Sequence, residues 1–140
     1  MITCVWIGKS QNASCSLLIK NYQQQLRAWW PVKLIEIPEI EKMVIKYIQS
    51  RSRRSILVSL DVTGEPMESQ KFSRWVNQTS DEIYFFGWGS NGPIETAKSY
   101  FQKTLSLSKM TFSHELARVL LWEQLYRAGL SLKNHPYVLH

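Results

Sequence analysis

Only two of the 140 residues are cysteine, Cys4 and Cys15. They are too far apart for a Cys-x-x-Cys pair and have no nearby histidine, so neither a zinc cage nor a disulfide framework is signalled, and a reducing cytosol fits. Long apolar runs are also missing. The longest, Ile83 to Trp88 and Val119 to Trp122, fall far short of the roughly 18 residues that span a bilayer, and the start lacks a basic flank followed by an apolar stretch. A soluble cytoplasmic protein with no membrane and no metal is expected. Proline and glycine are sparse, five and six residues, and gather in no low-complexity tract, which excludes a disordered or collagen-like chain. Acidic residues are in short supply as well. Eleven Asp and Glu face seventeen Lys and Arg, and the net charge of +6 favours an anionic partner, nucleic acid first.

What is present is globular: 44% hydrophobic residues, in a length that suits one domain over residues 1–140. Short β-branched runs alternate with longer helical stretches, the punctuation of an α/β fold with a mainly parallel sheet and flanking helices. Strands are expected at Ile2 to Ile7, Val32 to Ile37, Ile56 to Leu60, Ile83 to Phe86 and Leu105 to Leu107. Helices are expected at Ser10 to Trp30, Glu39 to Gln49, Glu68 to Asn77, Glu95 to Gln102 and from a Ser113 cap to about Ala128. Asp61 and Gly64 read as the exit turn of the third strand, Arg51, Arg53 and Arg54 as a basic cluster after the second helix, and residues 131–140 as a polar tail.

One turn could carry chemistry by its shape. Gly87-x-Gly89-x-x-Gly92 lies between a strand and a helix, where bare backbone amides can approach an anion or a nucleotide. It does not follow the first strand, and the nearest downstream acid, Glu115, falls inside a helix, so it departs from a dinucleotide fingerprint. An unrelated nucleotide-binding module would rest on this turn alone.

The last forty residues say more. Met110-Thr-Phe-Ser-His-Glu-Leu-Ala-Arg-Val-Leu-Leu-Trp-Glu-Gln-Leu-Tyr-Arg-Ala128, followed by Asn134-His-Pro-Tyr137, resembles the C-terminal signature of the RlmH family, bacterial SPOUT methyltransferases. Lys33-Leu-Ile-Glu-Ile-Pro38, Leu60-Asp61-x-x-Gly64, Ser90-Asn91-Gly92 with Lys98, and Ser106-Leu-Ser-x-Met-Thr111 extend the likeness over nearly the whole chain. The resemblance implies a deep C-terminal trefoil knot, S-adenosylmethionine as cofactor, and methylation of N3 of a pseudouridine in the helix 69 loop of 23S ribosomal RNA. It also implies a homodimer whose sites borrow the partner's C-terminal tail.

By the same resemblance the cofactor loops are Leu60, then Trp88 and Gly89, then Leu107, Ser108, Lys109, Met110, Thr111 and Phe112. Methylating such a nitrogen needs a base and positioning, and no metal. Histidine titrates near neutrality and arginine stabilises developing negative charge, so His114, Arg127, His135, Tyr137 and His140 are the candidates. Arg127, Tyr137 and His114 are the catalytic expectation; Arg127 and Tyr137 match the family signature. Two residues depart from the family pattern. Trp88 stands where the first glycine of a Gly-Gly pair is typical, and Val138 stands where a histidine follows the tyrosine, departures that favour a non-catalytic RNA-binding relative.

Two expectations concern surfaces. From Lys98 onward, Lys98, Lys103, Lys109, Arg118, Arg127 and Lys133 face only Glu115 and Glu123, which predicts an RNA-facing surface in this segment. Leu116, Val119, Leu120 and Trp122 crowd more than one side of the last helix and point to a second copy of the chain.

Overall fold

The computed structural model describes residues 1–28 and 30–133. Strands β1 (Ile2–Ile7), β2 (Val32–Ile37), β3 (Ile56–Pro66), β4 (Ile83–Gly87) and β5 (Lys103–Ser106) form one sheet in the order β2-β1-β4-β3-β5. Every pairing is parallel. Parallel strands need crossover connections, and those connections cover both faces of the sheet. The inner strands β1 and β4 are therefore buried at every position, and neither alternates with polar residues.

Their side chains still alternate between two cores. Ile2, Cys4 and Trp6 join Ile19, Phe72, Val76, Val119 and Trp122 on one face, while Val5 and Ile7 join Val44, Ile48 and Phe86 on the other. Helices α1 (Ala13–Leu26), α3 (Ser69–Gln78) and α4 (His114–Ser131) cover the first face. The second is covered by α2 (Glu41–Gln49) and a 3₁₀ helix over Glu95–Tyr100.

The expected element order is observed, and the boundaries that moved have local causes. Helix α1 starts at Ala13 because Asn12 is its cap, its Oδ1 accepting from the Cys15 N–H at 3.0 Å. Strand β3 does not end at Leu60. Leu60 and Glu65 both pair with Leu105, so residues 61–64 loop out as a bulge, braced by the Thr63 N–H donating to Asp61 Oδ1 at 3.0 Å, and the strand resumes to Pro66. The helix expected to reach Gln102 stops at Tyr100. Gln102 is claimed by β3 instead: its N–H donates to the Leu57 carbonyl at 3.1 Å, and its Oε1 accepts from the Leu57 N–H at 2.7 Å. Strand β5 consequently begins at Lys103.

Ser113 caps α4, its Oγ accepting from the Leu116 N–H at 3.3 Å. The helix is apolar on most of its circumference because it wedges between α1 and α3 against the sheet. Val119 and Trp122 are buried within the chain, each contributing roughly 1.5–3 kcal/mol, so they are not free to face a second copy. Leu120 is half-buried, and Leu116 alone of that set is exposed. Among the described residues no helix is long and apolar enough to cross a membrane.

Candidate active site

Strand β1 leads into α1 on the first face and β4 leads toward the 3₁₀ helix on the second, while β3 leads into α3 on the first. Connections that leave in opposite directions open crevices on both sides of the carboxyl end of β4. The two crevices have different fates.

Arg118 of α4 closes the one between β1 and β4. Its side chain is almost fully buried, and Nη2 donates to the carbonyls of Ile7 at 2.9 Å, Trp88 at 3.3 Å and Gly87 at 3.4 Å. Nη1 donates to Ser10 Oγ at 3.0 Å, and the guanidinium carbon lies 5.3 Å from the Trp6 ring centroid. No carboxylate forms a salt bridge with it among the described residues. Burial pulls its pKa down, and the fields of Glu115, Glu36 and Glu39 push back. The same acids tie down the loop that Arg118 touches. Glu36 Oε2 accepts from the Ser10 N–H at 2.8 Å, and Glu115 accepts from the Gln11 and Asn12 N–H groups at 3.0 Å.

The crevice between β4 and β3 stays open as a cavity of about 400 Å³. Leu60 and Asp61 line it from β3, Gly87 to Ser90 from the turn after β4, and Leu105, Leu107 and Ser108 from β5 and its exit. Met110, Thr111 and Phe112 continue the wall, and His114, Ala117 and Arg118 of α4 close it. The three sequence-predicted loops thus meet around one space. Lys109 is the exception, exposed and not part of the lining.

Trp88 lines this cavity without filling it. The ring packs 6.0 Å from Phe86 and 5.7 Å from Phe101 in the second core, and Nε1–H donates to Ser59 Oγ at 2.8 Å. Strand alternation explains the direction: Tyr84, Phe86 and Trp88 share one face, and Phe85 and Gly87 the other. Gly87 has no side chain because Trp6 crosses its Cα. A Cβ there would lie 2.7 Å from the Trp6 ring and 3.3 Å from the Arg118 stem. Gly92, at φ +74°, is the residue of this turn that needs left-handed backbone, and its N–H donates to the Gly89 carbonyl at 3.0 Å.

Of the three catalytic candidates, His114 and Arg127 are among the described residues, and the cavity does not bring them together. His114 lines the cavity, whereas Arg127 does not, and its Nε–H donates to Glu123 Oε1 at 2.8 Å. Tyr137, His135, His140 and Val138 lie outside the described residues.

Among the described residues, four of the six cations of the predicted basic surface are paired or buried, and Lys109 and Lys133 are exposed. Lys98 pairs with Glu95 at 2.8 Å, Lys103 with Glu65 at 3.1 Å and Arg127 with Glu123, while Arg118 is inside the protein. Sequence distance concealed this, because Glu65 reaches Lys103 only through the pairing of β3 with β5. Among the described residues, Asp61 is the acidic side chain that lines the cavity, and Arg118 and His114 line it as well.

A parallel α/β sheet with a small-molecule cavity at its carboxyl ends, beside a reversal of strand order, defines a ligand-binding α/β enzyme class. The family model described as predicted SPOUT methyltransferase matches residues 1–138, and the chain belongs to that family. It is accordingly an S-adenosylmethionine-dependent methyltransferase. Among similar proteins, "Ribosomal RNA large subunit methyltransferase H" of Koribacter versatilis is 33% identical over 138 residues, covering 95% of this chain and 94% of the relative. The protein of the same name from Coprothermobacter proteolyticus is 30% identical over 137 residues, 95% of each chain. The fold is also that of the SpoU methyltransferase AviRb from Streptomyces viridochromogenes, solved in complex with AdoMet. That match has a TM-score of 0.55 at 11% identity and covers 94% of this chain and 58% of AviRb.

The cavity fits the cofactor. Its volume lies in the range of small-molecule sites, roughly 300–1,000 Å³; its walls at Leu60, Leu107 and Phe112 are apolar; and the Asp61 carboxylate in its lining complements a cationic group of the cofactor.

Proposed function

We propose that the chain is a ribosomal RNA methyltransferase that modifies N3 of a pseudouridine in the helix 69 loop of 23S RNA. It acts in the cytoplasm as a homodimer of single SPOUT domains, with the C-terminal trefoil knot inferred from the same kinship. The names of the relatives support ribosomal RNA as substrate, and the tail signature supports the particular base. The observation that carries the site is the meeting of Leu60, the Gly87 to Gly92 turn and Leu107 to Phe112 around one cavity.

S-adenosylmethionine, when bound, supplies an electrophilic methyl group. The chain's own residues do the rest. Leu60, Leu107 and Phe112 exclude water and flank a planar base, while backbone groups of the glycine turn meet its polar edge. The pseudouridine N3 sits between two carbonyls and becomes nucleophilic once its proton leaves. His114, at the cavity wall, takes that proton. Arg127 stabilises the charge that develops on the carbonyls.

Arg127 stands thirteen residues beyond His114 on α4, about 20 Å further along the axis at 1.5 Å per residue. It therefore serves the cavity of a second copy, and Tyr137 comes with it. Exposed Met110 and Leu116 beside the cavity give that copy an apolar footing. Of the two departures that favour a non-catalytic relative, Trp88 gives it little support, because the ring is held in the second core, while Val138 lies outside the described residues.

Methyl transfer to ribosomes lacking the modification tests the proposal. Arg127→Ala is expected to abolish transfer with cofactor affinity within about twofold of the unmutated protein, since Arg127 does not line the cavity. Full activity in that variant removes Arg127 from the mechanism. Cofactor binding without transfer by the unmutated protein would leave an RNA-binding relative. A sedimentation mass of 16.4 kDa at micromolar concentration would refute the shared site.

A further inference from the structure

Four of the six C-terminal cations are paired or buried, and a run of positive charge stands elsewhere, on α2 and the turn that follows it. Lys42 and Lys46, four residues apart, line a shallow groove with Glu41, Ile45 and Gln49, and the chain then runs into Arg51, Arg53 and Arg54. None of these five cations forms a salt bridge among the described residues. Of the nearby acids, Glu41 Oε1 accepts from Thr96 Oγ1–H at 2.7 Å and Glu82 Oε2 from the Tyr84 hydroxyl at 3.2 Å, while Asp81 shares a surface depression with Arg54 without forming a salt bridge to it.

The turn is built to hold its arginines out. The Ser55 N–H donates to the Ser52 carbonyl at 2.9 Å, and the Arg54 N–H donates to Ser52 Oγ at 3.2 Å. Arg53 and Arg54 thereby occupy the two central positions of a closed turn, both exposed. Arg51 beside them is ordered in advance. Its guanidinium carbon lies 4.0 Å from the Tyr47 ring centroid, its Nε–H donates to the Tyr47 carbonyl at 3.2 Å, and Nη2 donates to Ser50 Oγ at 2.9 Å. Ordered guanidiniums lose little entropy on binding and match phosphate oxygens in pairs.

We infer that the Ser52–Ser55 turn, with Lys46 and Arg51 at the close of α2, forms a phosphate-backbone contact for the RNA substrate, at the end of the sheet opposite the cavity. The inference rests on the reading of the chain as an RNA methyltransferase. The regular part of β3, Ile56 to Leu60, separates the turn from the cavity end by roughly 16 Å at 3.3 Å per residue, a span that a folded RNA domain bridges. The division of labour follows from charge. The RNA is held by its backbone where exposed arginines gather and presents a base at the cavity.

The test is Arg53→Glu with Arg54→Glu, and the neutral pair Arg53→Gln with Arg54→Gln, in the full-length protein. Binding to 23S RNA transcripts and to large subunits lacking the modification is measured against potassium chloride concentration. Each lost phosphate contact should lower the slope of log affinity against log salt by about 0.7–0.9, so the neutral pair should lower it by about 1.5 and the reversed pair should weaken low-salt binding at least tenfold. Cofactor affinity, thermal midpoint and turnover at saturating RNA should stay unchanged. An unchanged salt slope overturns the inference and leaves these charges as solvated surface. Loss of subunit binding with unchanged transcript binding also overturns it, in favour of an acidic protein partner. A reduced slope with no methyl transfer even by the unmutated protein would uphold the contact and refute the catalytic reading, so the two fail separately.

Discussion

The two crevices beside the carboxyl end of β4 arise from the same reversal of strand order, yet one is a joint and the other a site. Between β1 and β4 the opening receives the Arg118 guanidinium, which satisfies carbonyls from both strands and packs against Trp6. Between β4 and β3 no side chain of the described residues fills the opening, because the Trp88 ring turns to the opposite face and Leu60 and Phe112 stay at the walls. Topology supplies the openings, and the contents decide what each becomes.

Filling is thus the variable to attack, and Arg118 should show the largest effect. Arg118→Met leaves the Ile7, Gly87 and Trp88 carbonyls without their donor, and a loss of about 3–5 kcal/mol is expected in urea denaturation. Cofactor affinity should fall with it, since the Gly87 to Trp88 backbone is shared by joint and cavity. A variant within about 1 kcal/mol of the original stability would show that the crevice closes without the cation.

Gly87→Ala attacks the joint by overfilling. The added methyl would sit 2.7 Å from the Trp6 ring, and displacing that ring should cost about 1–3 kcal/mol, read as a lowered thermal midpoint. Unchanged stability would mean that Trp6 yields freely.

Trp88→Phe sharpens the comparison from the cavity side. It removes the bond to Ser59 Oγ and keeps a ring between Phe86 and Phe101, so a loss of about 1 kcal/mol is expected with cofactor affinity unchanged by calorimetry. A clear change in affinity would put the ring in the cavity after all.

The smallest effect concerns the exposed pair at the bulge of β3. The Lys103 ammonium, by hydrogen bond and charge, holds the Glu65 carboxyl below its ordinary range, with Lys71 assisting. A depressed carboxylate stabilises the fold above its unfolded pKa, and that contribution is lost as pH falls through the folded value. Lys103→Ala should move the Glu65 titration, followed by NMR, back toward the ordinary range while global stability changes little. No movement would mean that the pair does not persist in solution.

Much of the fold was legible because it depends on local pattern. The limits of β1 and β2, the Ser113 cap and the order of all elements follow from apolar runs, proline stops and a hydroxyl before a helix. The resemblance in the tail and loops marked Leu60, the glycine turn and Leu107 to Phe112, which the structure brings to one cavity. Arg118 left a fainter trace: with Leu121, Trp122 and Leu125 at helical spacing, it stands on the buried stripe of α4, where a solvated arginine does not belong.

What sequence alone determined, then, was the α/β alternation, the excess of positive charge and the family-like signature, all properties of residues near one another in the chain. Tertiary structure decided the rest. It pairs Lys103 with Glu65 across neighbouring strands, buries Arg118 against a carbonyl more than a hundred residues away at Ile7, and packs the Trp88 ring into the second core. The physical reason is common to all three. Whether a charge or a ring faces water, a partner or a ligand depends on strand register and on which face a neighbouring element covers, and neither is encoded within a local window of sequence.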